Sequence, residues 1–270
     1  MQNQSNRLNL LYEAGKKNPN GKVMSLFLTA GYPTVEDTVD LVLGMDKAGA
    51  DMIELGMAFS DPLADGPTIQ LSSNEAIKNG ISITKIFQQV KKIRESSDMP
   101  IILMGYLNPV MHYGIEKFCR GASDAGVDAL ILPDVPVEES NIIREHADKY
   151  GLNLIYLVAP NTPDDRMKMI DDRSGGFVYC VSVTGVTGAR SGNEVQKSVD
   201  RFIDRVNQNI TKNPVMIGFG IKNHENAMNI SRKVDGFIVG SALIDNIKSN
   251  YPTDGWKEKL FDFVSELKYG

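Results

Sequence analysis

The sequence predicts an α/β fold, a (β/α)8 TIM barrel with an extra N-terminal helix. Three observations carry this: eight short apolar runs, longer amphipathic segments between them, and no break in composition along 270 residues. Parallel strands are buried on both faces and joined by helical crossovers, so they read as short continuous runs of Val, Ile and Leu rather than as alternating patterns. Strands are predicted near 22–29, 51–56, 100–106, 128–133, 153–158, 176–182, 214–218 and 235–239. Helical patterns occupy 34–50, 83–96, 114–126, 138–151, 162–172, 194–209, 224–234 and 254–267. Within them apolar residues recur at helical spacing, as in Val39, Leu43 and Met45, or Val199, Phe202, Ile203 and Val206. The segments AGADMIELG, AGVDALILP and KVDGFIVG echo one another, each running from a helix end through Asp into a strand. Glycine at helix ends explains part of that echo, so it is minor support. An open doubly wound sheet is the alternative, but Gly31 stands alone after the first strand, where that fold would carry Gly-x-Gly-x-x-Gly.

A 42% hydrophobic composition supplies a sizeable core, and no linker or charge block divides the chain, so residues 1–270 are expected to form a single TIM-barrel domain. The net charge of −5 and pI near 5.3 argue against nucleic-acid and anionic-membrane partners, which need clustered Lys and Arg. A phosphate in the ligand must then be held by local groups. The N-terminal segment lacks the apolar core of a signal peptide, and no stretch approaches ~18 apolar residues, so a soluble, cytoplasmic protein is expected. Cys119 and Cys180 are too few for a disulfide framework, and His112, His146 and His224 have no metal-ligand spacing, so no metal is expected.

The most informative segment is ELGMAFSDPLADGP, from Glu54 to Pro67. It sets Glu54 at the end of a buried strand and Asp61 and Asp65 on a connection longer than the usual two to six residues, as lids and binding loops are. Desolvation raises the pKa of a buried carboxyl, and a carboxyl that holds its proton near neutrality is what general acid catalysis requires. Asp61, ahead of Pro62, reads equally well as a turn residue. Function in a barrel gathers at the C-terminal strand ends, and after the last three strands these are glycine-rich: GVTGA at 185–189, GFG at 218–220 and GSA at 240–242. Glycine lets backbone amides approach an anion closely, so a phosphate site is predicted there. Candidates for the apolar middle of the ligand site are Phe27, Leu103, Tyr106, Tyr179 and Phe219, each equally readable as core filler. No Lys stands at a predicted strand C-terminus, which disfavours Schiff-base chemistry and leaves acid/base chemistry by carboxylates.

The motifs ELGMAFSDPLADGPTIQ, PDVPVEES at 133–140, SVTGVTG at 182–188, GFGI at 218–221 and VGSAL at 239–243 resemble the tryptophan synthase α-subunit family over nearly the whole chain. The resemblance implies cleavage of indole-3-glycerol phosphate to indole and glyceraldehyde 3-phosphate, with a stand-alone lyase of the same fold as the alternative. It implies no cofactor in this chain. It also implies a partner, the pyridoxal-phosphate-dependent β subunit, in an α2β2 heterotetramer where indole is joined to serine. Carried over residue by residue, the catalytic acid falls on Glu54 and the second carboxylate on Asp65. Tyr179 falls on a pocket position, Thr187 on the residue of the sixth loop that closes onto Asp65, and the phosphate contacts on Gly188, Gly220, Gly240 and Ser241. One departure is Ala58, where many members of the family carry Pro in the loop that meets the β subunit. A non-catalytic phosphate-ligand sensor and a different phosphosugar barrel enzyme are the remaining alternatives.

Overall fold

The computed structural model describes residues 7–15, 21–181, 192–218 and 220–270. Its nine strands are β1 (Val23–Thr29), β2 (Met52–Gly56), β3 (Ile101–Met104), β4 (Ala129–Ile131), β5 (Asn153–Ile155), β6 (Leu157–Val158), β7 (Val178–Val181), β8 (Val215–Gly218) and β9 (Gly236–Val239). They form one sheet in the order β5-β4-β3-β2-β1-β9-β8-β7-β6, and every strand pairing among the described residues is parallel. The two outermost strands in that order are consecutive in sequence, separated only by Tyr156, whose carbonyl accepts from Tyr179 N at 3.0 Å. The ring therefore closes through the chain itself, and the barrel expected from the sequence is the fold. The expected fifth strand is broken at Tyr156 into β5 and β6, which is why nine strands stand where eight were predicted.

Twelve α-helices surround the ring among the described residues, more than the eight helical patterns predicted. The additional ones are α1 (Arg7–Gly15), α3 (Pro67–Lys78), α5 (Leu107–Tyr113) and α11 (Ser241–Asn250). The N-terminal helix α1 was expected, and the other three were not. Only Ser72, Ser73 and Ala76 are buried in α3, too polar a stripe to register as a helical period. With seven residues α5 is too short to show one, and α11 begins directly after Gly240, in the GSA segment that was read as a phosphate-binding strand end.

Side-chain alternation divides the core in two. One set, including Leu26, Leu28, Ile53, Leu55, Ile101 and Leu103, faces the helices. The other, including Val23, Met52, Ile102, Ile131, Ile155, Phe177, Met216 and Ile238, fills the barrel. Leu8 and Tyr12 of α1 join the inner set, with the Tyr12 ring edge-on to Phe177 at 6.4 Å. The extra N-terminal helix therefore packs into the inner core, which reaches from the first residue of β1 up to Met104 and Tyr179. Beyond those residues, at the C-terminal strand ends, the barrel opens.

Candidate active site

Phe27 and Glu54 are register partners on β1 and β2 and occupy the inward parity, two positions on from Ser25 and Met52 respectively. Glu54 is 0% exposed. Its Oε1 accepts a hydrogen bond from Ser25 Oγ at 2.7 Å, while Oε2 has no partner among the described residues. Among the described residues no cation pairs with it. Burial in this apolar interior dominates and pushes the carboxyl up to about 7, against which the Ser25 bond acts only partly. The carboxyl reaches toward Ser25, one layer below Phe27, and it lies beneath the open cavity rather than in its wall.

That cavity, of about 710 Å³, occupies the C-terminal mouth. Phe27, Met104, Pro133, Leu157, Tyr179 and Ile238 form its apolar floor and walls. Asp65 and Gly66 border it on one side, and Gly218, Gly220, Gly240 and Ser241 on the other. Asp65 Oδ2 accepts from Tyr106 Oη at 3.0 Å, and Tyr106 Oη in turn accepts from Ala64 N at 3.0 Å, so one phenol fixes the 57–66 connection over the barrel. Partial burial raises the Asp65 carboxyl above its ordinary value, and the Tyr106 bond opposes this. At Gly220 φ is +53°, and a Cβ built there meets nothing within 4 Å, so a side chain would occupy the cavity itself. Gly240 precedes α11, whose first amides open onto the same edge, and Ser241 is its first residue. Tyr179 is partly buried, its hydroxyl set against Gly218, where a Cβ would come within 2.7 Å of it.

Several sequence expectations change here. Leu103 belongs to the helix-facing core and does not line the mouth, because its parity is opposite to that of Ile102 and Met104. Tyr106 is not part of the main cavity wall; it borders an adjoining crevice and holds Asp65. Asp61 is exposed, accepts from Ser60 Oγ at 2.6 Å and does not line the cavity, the turn-residue alternative. Thr187, Gly188 and Phe219 lie outside the described residues. The sequence reading also missed Ser25 and Lys222. Ser25 shares the inward parity of Phe27, a signal legible in strand alternation, and Lys222 stands two residues beyond Gly220.

A (β/α)8 barrel with two carboxyls and a glycine edge around one C-terminal cavity is built as barrel enzymes are. The family profile described as tryptophan synthase alpha chain matches residues 14–267. A tryptophan synthase alpha chain from Thermoanaerobacter sp. (strain X514) is 46% identical over 263 residues, 97% of this chain and 98% of that one. One from Christiangramia forsetii is 45% identical over 230 residues, 85% and 89% of the two chains. Among solved structures, the tryptophan synthase alpha chain from Legionella pneumophila superposes with a TM-score of 0.87 at 35% identity, covering 97% of this chain and 95% of that one. A tryptophan synthase complex from Pyrococcus furiosus gives 0.81 at 37% identity, with 91% and 97% covered. The chain belongs to the tryptophan synthase alpha chain family and is an enzyme subunit of tryptophan biosynthesis. No described helix is long and apolar enough to cross a membrane.

Proposed function

We propose that this subunit cleaves indole-3-glycerol phosphate by a retro-aldol reaction and passes the indole to a pyridoxal-phosphate-dependent β subunit in an α2β2 assembly. The observation that carries the reading is one cavity with Asp65 on one side, Gly220, Gly240 and Ser241 on the other, and the buried Glu54 carboxyl beneath it. The distal phosphate sits against the glycine edge, where α11 opens. The indole ring lies over Phe27 and Tyr179, with its N–H toward Asp65.

Protonation at the ring carbon bearing the glycerol chain comes first, because only the resulting iminium can accept the electrons of the breaking C–C bond. Glu54 supplies that proton, since burial keeps it protonated at near-neutral pH. To do so its side chain leaves Ser25 and turns up into the cavity. The positive charge then spreads to the ring nitrogen, where the Asp65 carboxylate accepts the N–H bond and stabilises it, while Tyr106 holds Asp65 in place. Glu54, now ionised, takes the proton of the hydroxyl next to the scissile bond. The O–H electrons form the aldehyde carbonyl, the C–C electrons return to the ring, and indole and glyceraldehyde 3-phosphate separate. Glu54 ends protonated, so no proton is gained or lost by the site. The dianionic substrate does not cross membranes, in keeping with action in the cytoplasm.

Indole release from indole-3-glycerol phosphate, followed with and without the β subunit, tests the reading. We expect slow release alone and activation of several fold or more by the partner, because Glu54 rests below the cavity in the isolated chain. Full speed without the partner would mark a stand-alone lyase, which no observation favours. No indole under either condition would remove the proposal.

A further inference from the structure

We propose that Lys222 is the cation that draws the substrate phosphate to the glycine edge of the cavity, a specificity-determining residue outside the backbone cradle. The inference rests on the cavity holding a phosphate ester, as proposed above. Among the described residues that line the cavity, Lys222 is the only Lys or Arg, and the acids there are Asp65 and Asp245. Asp245 accepts from Thr68 Oγ1 at 3.2 Å, and the whole chain carries a net charge of −5. A phosphate dianion therefore approaches a mouth whose fixed charges are two carboxylates and one ammonium. Backbone amides at Gly220, Gly240 and Ser241 satisfy its hydrogen bonds but carry no formal charge to offset that repulsion.

Lys222 is placed to supply it. Its neighbours pin the backbone on both sides: Ile221 is 2% exposed in the core, and Asn223 caps α10 (His224–Ser231) by accepting from Asn226 N at 2.9 Å. The side chain between them lines the cavity without a hydrogen bond or ion pair among the described residues. It is exposed, and an ammonium on a flexible stem meets an incoming phosphate as a point charge without a fixed geometry. Its attraction therefore falls on the charged end of the substrate in the ground state and the transition state alike. That is uniform binding, which appears in KM and leaves kcat unchanged.

Calorimetric binding of glycerol 3-phosphate and of indole, with steady-state indole release, tests this on the wild type, Lys222→Gln, Lys222→Arg and Lys91→Gln. Lys91 is an exposed α4 (Ile83–Arg94) residue that does not line the cavity and controls for net charge. Lys222→Gln is expected to raise both the Kd for glycerol 3-phosphate and the KM about five- to tenfold, an electrostatic contact of about 1 kcal/mol. Its kcat and the Kd for indole should not move, and kcat/KM should lose part of its salt dependence. Lys222→Arg should restore most of the affinity, and Lys91→Gln should match the wild type. An unchanged Kd and salt dependence in Lys222→Gln, or equal losses in Lys91→Gln, would overturn the assignment. Wild-type protein that binds glycerol 3-phosphate but releases no indole would overturn the lyase reading alone, with Lys222 then judged on the Kd. Indole release whose KM is indifferent to Lys222→Gln would overturn the Lys222 assignment alone.

Discussion

Replacing Glu54 by Gln is expected to abolish indole release, lowering kcat by about a thousandfold or more, while the Kd for glycerol 3-phosphate stays within about twofold of wild type. The carboxyl is asked to give a proton to the ring carbon and then to take one from the hydroxyl, and an amide does neither. General acid–base steps are each worth about a hundred- to ten-thousandfold, so losing two coupled ones leaves only orientation in the cavity. The glycine edge proposed to take the phosphate is formed by other strands and is untouched. The substitution keeps the shape of the side chain, and Ser25 Oγ can remain a hydrogen-bond partner. Stability should move oppositely to activity. Burial raises the folded-state value from 4.5 to about 7, so the protonated carboxyl costs the fold nothing extra below pH 4.5. As pH rises through that window the unfolded chain ionises first and stability is lost, by an amount on the order of 3 kcal/mol when the shift is converted at 1.36 kcal/mol per unit. Glu54→Gln has no such loss, so its thermal midpoint above pH 7 should exceed that of the wild type. A variant that retains turnover would remove Glu54 from the chemistry.

Asp65→Asn should lower kcat by about a hundredfold or more with a much smaller change in KM. The distinction follows from when the carboxylate acts. In the ground state the indole N–H needs only a modest acceptor, but once the ring carbon is protonated the nitrogen carries developing positive charge, and a carboxylate stabilises it far better than an amide oxygen. Asn preserves the volume and can still accept from Tyr106 Oη, so the 57–66 connection should stay in place. Equal losses in kcat and affinity for an uncharged ring such as indole would point to loop collapse instead. Steady-state kinetics together with indole binding separate the two.

The barrel was legible because buried parallel strands announce themselves as apolar runs, and the helices between them carry an amphipathic period. Where the sequence reading failed, the signal was absent for a physical reason. Helix α3 buries serines and Ala76 rather than a leucine stripe, and the break at Tyr156 depends on backbone pairing that no local pattern encodes. Glu54 was legible because a carboxylate inside an apolar strand is costly and so calls for an explanation. Parity separates Leu103 from Met104, and a one-residue choice along the strand decides whether a side chain meets substrate or helix. Tyr106 was visible as an aromatic at a strand end, but its hydroxyl bond to Asp65 is a contact across 41 residues that only the folded chain creates. Ser25 shares the inward parity of Phe27, but its bond to Glu54 comes from the pairing of β1 with β2, and Lys222 is an ordinary residue in sequence whose place in the cavity wall only the folded chain creates.

The proposed chemistry depends on Glu54 holding its proton near neutral pH inside the barrel. Infrared difference spectra of the wild type minus Glu54→Gln, collected as pH is raised from 5 to 9, measure this directly at the carboxylic-acid carbonyl band. A protonated-carboxyl band is expected in the wild type, absent from the variant, that disappears with a midpoint of about 7. A difference spectrum showing only ionised carboxylate across the whole range would contradict it.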